Sequence, residues 1–136
     1  MTLKPIVLTT NTTIDRDTHI DTVCVIDAAG GFTVTLPEAT GSGDRYRFYV
    51  KTTLTASATI AALTTDIMQG AVMVATDIAG VTCPATATSD KLVMNGSTTG
   101  GLLGSYVEVV DAVDTTWFVT GALVSSGAEA TPFSAT

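Results

Sequence analysis

The stretch from Gly31 to Lys51 constrains the fold more than any other part of this chain. Phe32, Val34 and Leu36 alternate with Thr33 and Thr35, and then Pro37 and the Gly41-Ser42-Gly43-Asp44 cluster break the pattern. Beyond the break, Tyr46, Phe48 and Val50 alternate with Arg45, Arg47, Tyr49 and Lys51. Successive side chains of a strand point to opposite faces, so each half reads as a half-buried strand. The glycine-rich break between them predicts one antiparallel β-hairpin.

The rest of the chain leans the same way. Its 136 residues suffice for one domain with a real core. Charged residues make up 14%, well below the usual share, and threonine and valine are plentiful. Branching at Cβ suits a pleated surface better than a helix. Residues 18–27 read as a strand with Ile20, Thr22, Cys24 and Ile26 on one face and His19, Asp21, Val23, Val25 and Asp27 on the other. Ala58 to Leu63 is a further strand, Asp66 to Gly70 a bend, and Val72 and Val74 a strand that Gly80 breaks. Residues 81–89 read as loop or edge, and Leu92 and Met94 as a strand ended by Asn95-Gly96. Tyr106 to Val110 and Thr116 to Val124 form a last hairpin, with Trp117 in the core. This succession predicts an all-β, single-domain antiparallel β-sandwich or barrel, jelly-roll-like, over residues 15–125.

Residues 1–14 read as an extended N-terminal arm and 126–136 as a C-terminal tail. In the arm, Pro5, Ile6, Val7 and Leu8 suit either pairing with a neighbouring subunit or an edge strand. In the tail, Phe133 suits either an anchor on a partner subunit or packing on its own domain.

Charge narrows the partners. Net charge is −7, with six Lys and Arg, so the chain lacks the basic field that nucleic acids and anionic membranes demand. No apolar run has signal-peptide or membrane-span length, which implies synthesis in a cytoplasm. Three of the six basic residues, Arg45, Arg47 and Lys51, share one strand face. That stripe is a candidate subunit contact, with Glu38, Glu108 or Asp111 to oppose it; a solvated face is the plain alternative.

No reaction chemistry stands out. His19 lies near Asp15, Asp17 and Asp21 but near no Ser or Cys in a nucleophile setting, and reads as an exposed strand histidine. Asp15-Arg16-Asp17 lacks the turn glycine and distal glutamate of a calcium loop. Gly41 to Asp44 lacks the Lys-Ser/Thr ending of a phosphate loop and leads into a strand. Cys24 and Cys83 match no metal spacing, and Cys24 reads as a small buried hydrophobe. Asn11-Thr12-Thr13 and Asn95-Gly96-Ser97 fit the glycosylation sequon without a leader to use it. The expectation is therefore no enzyme, no cofactor, no metal and no small-molecule substrate.

Thr35 to Gly43 followed by Tyr46-Arg47-Phe48 resembles a pattern in structural proteins of tailed bacteriophages. So do Asp66 to Gly70, Asn95 to Gly101 and Trp117 to Gly121. Over residues 30–125 the succession resembles the small β domains of phage head decoration (cement) proteins, and of some head fibres and tail proteins. The resemblance implies a structural virion protein on the capsid exterior, binding the major capsid protein, often as a homotrimer. It carries over no catalytic residue. The alternative is a receptor- or glycan-binding module of a head or tail fibre, which needs exposed aromatics such as Tyr49, Tyr106 or Phe118. On the decoration reading, removing residues 1–14 is expected to weaken capsid attachment more than folding.

Overall fold

The computed structural model describes residues 4–136, so residues 1–3 of the expected arm lie outside the described residues. The strands are β1 (Ile6–Leu8), β2 (Thr12–Thr13), β3 (Val23–Ile26), β4 (Thr33–Thr35), β5 (Arg45–Val50) and β6 (Ala58–Ala61). They continue as β7 (Ile67–Ala75), β8 (Gly80–Pro84), β9 (Lys91–Met94), β10 (Tyr106–Val113), β11 (Thr116–Val124) and β12 (Phe133–Ser134). One helical turn, α1 (Arg16–His19), precedes β3. The strands make a seven-stranded sheet, ordered β1-β3-β5-β10-β11-β7-β8, and a five-stranded sheet, ordered β12-β9-β6-β4-β2. The fold is an all-β sandwich, as composition and alternation imply.

Both sheets are mixed rather than purely antiparallel. From β1 to β7 the chain alternates between the two sheets, one strand in each. Consequently β1, β3 and β5 lie side by side and parallel, as do β2, β4 and β6. β11 and β7 add a long parallel pair.

This winding overturns the hairpin expected over residues 31–51. β4 pairs with β2 and β6 in the five-stranded sheet, and β5 with β3 and β10 in the other. Alternation correctly marks which side chains face inward, because Phe32, Val34, Leu36, Tyr46, Phe48 and Val50 are all buried. It carries no information about which strand lies alongside. The segment between the two strands crosses the core edge, held where Ala39 N–H donates to Asp66 Oδ2 at 2.9 Å. The halves therefore meet through their side chains across the core, without a shared ladder. The last expected hairpin does form: β10 and β11 pair antiparallel, with a register shift between Asp111 and Val113.

Three other expectations change. Residues 18–27 are not one strand, since Thr18 and His19 N–H both donate to Asp15 O and close α1. Asp21 then turns the chain at φ 55°, leaving only Val23–Ile26 extended. The bend at 66–70 is the start of β7, with Gly70 inside the strand at φ 118°. A Cβ there would sit 2.2 Å from Val119 O, so the parallel β7–β11 pair needs glycine at this position. Finally, the tail is part of the sandwich: β12 pairs with β9 and buries Phe133.

The described part of the arm also lies on its own domain. β1 is an edge strand of the larger sheet and β2 an edge strand of the smaller one, and Leu8 and Ile14 are core residues. Leu8 O accepts from Asp27 N–H, so Val7 and Pro5 present their backbone groups outward. At the far edge, Ala85 N–H bonds Gly70 O, which turns Pro84 away from β7. Each exposed edge of the large sheet thus places a proline, which has no N–H to donate, at an outward position.

Candidate interaction surface

Inward residues of the large sheet, among them Cys24, Ile26, Phe48, Val109, Trp117 and Val72, fill the core. Their neighbours form the outer face, and register aligns those neighbours into rows. The first row runs from Val7 through Val25, Tyr49, Tyr106 and Ala122 to Met73. Val7 is 56% exposed and Met73 50%, while the tyrosines between them lie half-buried side by side. The second row sets Val23, Arg47, Glu108, Thr120 and Ala71 level with one another. A third holds Arg45, Val110, Phe118 and Gln69. The outer face of the small sheet differs in kind. Thr13, Thr33, Thr35 and Thr59 occupy it, with Lys91 alongside Ala61. One face of the sandwich is therefore apolar, aromatic and basic, and the other is hydroxyl-rich.

The basic stripe lands where alternation put it, but its three members differ. Arg47 Nη2 donates to Asp21 O at 3.0 Å and lies in register with Glu108. Burial first, and then the Glu108 carboxylate, push the neighbouring Tyr106 phenol upward, with Arg47 opposing them. Lys51 Nζ pairs with Asp27 Oδ2 at 3.1 Å. Hydrogen bonds from Thr52 and Lys51 hold the Asp27 carboxyl below its ordinary value. The Arg45 side chain is exposed and has neither ion pair nor hydrogen bond among the described residues.

Of the three acids named to oppose the stripe, Glu108 lies level with Arg47 in the same sheet, with no ion pair between them among the described residues. Asp111 points inward and serves a different purpose. It is buried, and its carboxylate accepts from Gly41 N–H at 2.7 Å, Ser42 Oγ at 2.7 Å and Thr40 N–H at 3.1 Å. Burial raises its pKa, but the bonds from Ser42, Thr40 and Gly41 outweigh that, so the carboxyl lies below its ordinary value. The glycine-rich loop is thus tied to β10 by an internal anion. Glu38 stays exposed in the same loop region.

The remaining candidates divide. Val7 joins the outer face and Pro5 its edge, whereas Ile6 and Leu8 turn toward the core and Phe133 is buried under the other sheet. His19 is buried rather than exposed, with its Nδ1 2.9 Å from Asp15 N and 3.1 Å from Asp15 O, so the ring is held against the start of α1. Cys24 and Cys83 are both free and buried. They sit on β3 and β8, five strand spacings or roughly 24 Å apart, far beyond disulfide reach. Burial pushes the Cys24 thiol up to about 11. Asn95 Oδ1 accepts from the N–H groups of Ser97, Thr98 and Thr99, so the side chain closes its own turn. No pocket and no metal-holding group of His, Cys, Asp or Glu is found among the described residues.

Met73 was not legible as a surface residue, because Gln69 is the only polar side chain of its strand and the rest is apolar on both faces. Only the parallel pairing with β11 places it level with Ala122 and Tyr106. Neither family models, nor curated proteins, nor solved structures yield a match to this chain.

Proposed function

We propose that this chain is a structural protein of a tailed-phage virion that attaches to the outside of the capsid and stabilises it. Its partner on this reading is the major capsid protein. The observation that carries the proposal is the outer face of the seven-stranded sheet. A whole sheet face presents apolar, aromatic and basic side chains with no segment of the described chain laid over it, as suits broad contact with another protein surface. The strand-and-turn succession that resembles head decoration proteins adds its weight.

The mechanism is mass action. A module that binds only the assembled shell stabilises that shell by its own binding free energy. Apolar contact supplies the gross gain, at about 25 cal/mol per Å², less the cost of association.

The test mixes purified protein with phage heads that lack it. Saturable co-sedimentation and a higher rupture temperature of the heads are the expected results. Absence of co-sedimentation would overturn the reading. Binding to host cells instead of heads would point to the receptor or glycan module, a reading that the 46% exposure of Phe118 favours.

A further inference from the structure

We propose that the outer face of the seven-stranded sheet pairs with the same face of a second copy of this chain across a two-fold axis. Register supplies the reason. Take an axis lying between the two faces, parallel to the strands and midway between β5 and β10. It exchanges β5 with β10, β3 with β11 and β1 with β7. Residues that are level within one sheet then meet across the axis. Arg47 falls over Glu108 of the second copy, and Glu108 over its Arg47. Tyr49 falls over Tyr106, Val25 over Ala122 and Val7 over Met73.

The position of the axis is decided by charge. An axis along β10 itself sets Glu108 against Glu108. An axis between β10 and β11 sets Glu108 over Thr120 and Arg47 over Ala71, so neither charge gains an opposite charge from the second copy. Of the axes parallel to the strands, the one between β5 and β10 joins the opposite charges of the central row and the apolar groups of the first, with Arg45 falling over Val110 in the third, and this is the self-complementarity an isologous contact requires. Two twisted sheets packed in alignment are turned by about 30°, and the central pairs, nearest the axis, stay closest to register.

The six strands that face counterparts across this axis span about 24 Å and three rows about 17 Å, so the contact covers roughly 400 Å² per copy and about 800 Å² in all, the size of a weak pair that forms at micromolar concentrations and above. Pairing leaves the β7–β8 hairpin tip, where Ile78 is 91% exposed, and the threonine face open to other contacts. It rests on the same reading of this face as an assembly surface, and because a paired face is closed to a capsid, the free dimer and the capsid-bound copy are alternative states of the chain. Solution mass is measured with no capsid present, so either proposal can fail without the other.

Light scattering of the intact chain after size exclusion, at tens of micromolar, is expected to give twice the 13.9 kDa chain mass. Arg47→Glu alone and Glu108→Arg alone are each expected to weaken pairing at least tenfold. An equimolar mixture of these two variants is expected to form mixed dimers, and the chain carrying both changes to dimerise by itself. Melting curves establish that each variant is folded. Met73→Glu, at an exposed site away from the charged pair, is a second disruptor should a charge reversal fail to fold. A wild-type monomer, a trimer, a dimer indifferent to all three single changes, or a mixture of folded charge variants that stays monomeric would each overturn the proposal.

Discussion

Replacing Asp111 with alanine should loosen the sandwich at one end, and the size of the effect follows from its hydrogen bonds. The carboxylate accepts from Gly41 N–H, Thr40 N–H and Ser42 Oγ, with Thr40 Oγ1 also within 3.4 Å. Bonds to a charged acceptor contribute about 1.5–3 kcal/mol each, but the loop donors are partly wet and water can replace some of them. The backbone ties from Gly43 N–H to Asp111 O and from Asp111 N–H to Asp44 O remain, both 2.9 Å. A net loss of about 2–4 kcal/mol is expected, or roughly 10 °C in Tm for a chain of this length. Asp111→Asn keeps an acceptor oxygen but loses the charge, and is expected to cost about half as much. Urea unfolding, followed by tryptophan fluorescence from buried Trp117, measures both. The acid limb gives a second readout. The folded pKa of Asp111 is depressed, so its contribution is fully present above the unfolded carboxylate value near about 3.9 and is lost as pH falls through the folded value. Asp111→Asn should flatten stability against pH in that window. An Asp111→Ala variant within about 0.5 kcal/mol of the parent would refute the reasoning.

Two shorter predictions concern the backbone and the first residues. Gly70→Ala should cost several-fold more than an ordinary glycine substitution, about 3 kcal/mol or more, because the added Cβ meets Val119 O at 2.2 Å in a left-handed backbone; thermal melts read this directly. Removing residues 1–14 should damage folding itself, since it takes Leu8 and Ile14 from the core, each worth about 2–5 kcal/mol when truncated. A shortened chain that melts within a few degrees of the full one would contradict that.

What sequence made legible was the direction of side chains. Phe48 and Trp117 were placed inward and Arg45 and Arg47 outward, because period two is a local property that each strand displays by itself. Partnership is not local. Nothing in Phe32 to Leu36 states that its neighbours in the sheet come from residues 12–13 and 58–61. The glycine-rich break looked like a hairpin because its composition suits tight turns of any destination. Asp111 was read as a surface acid opposing the stripe, yet it occupies the inward phase of Val107 and Val109, and that phase was the available clue. His19 misled for the opposite reason. Four residues make too short a window for any period, so α1 left no pattern to detect.

The alternation of the first seven strands between two sheets bears on how the molecule comes into being and how long it lasts. Ile6 meets Cys24, Thr12 meets Val34, and Thr33 meets Thr59, so each early pairing closes a loop that contains a strand of the opposite layer. Neither layer can be completed while the other is still unformed. The nascent chain must bear much of the loop-closure entropy before the ladders reward it, which makes acquisition of the fold slow and all-or-none. The same interlock governs the reverse path. Peeling one layer exposes the apolar side of the other, so partial opening gains little entropy for the surface it uncovers. A high barrier to unfolding suits a component that is made once and must then persist without repair.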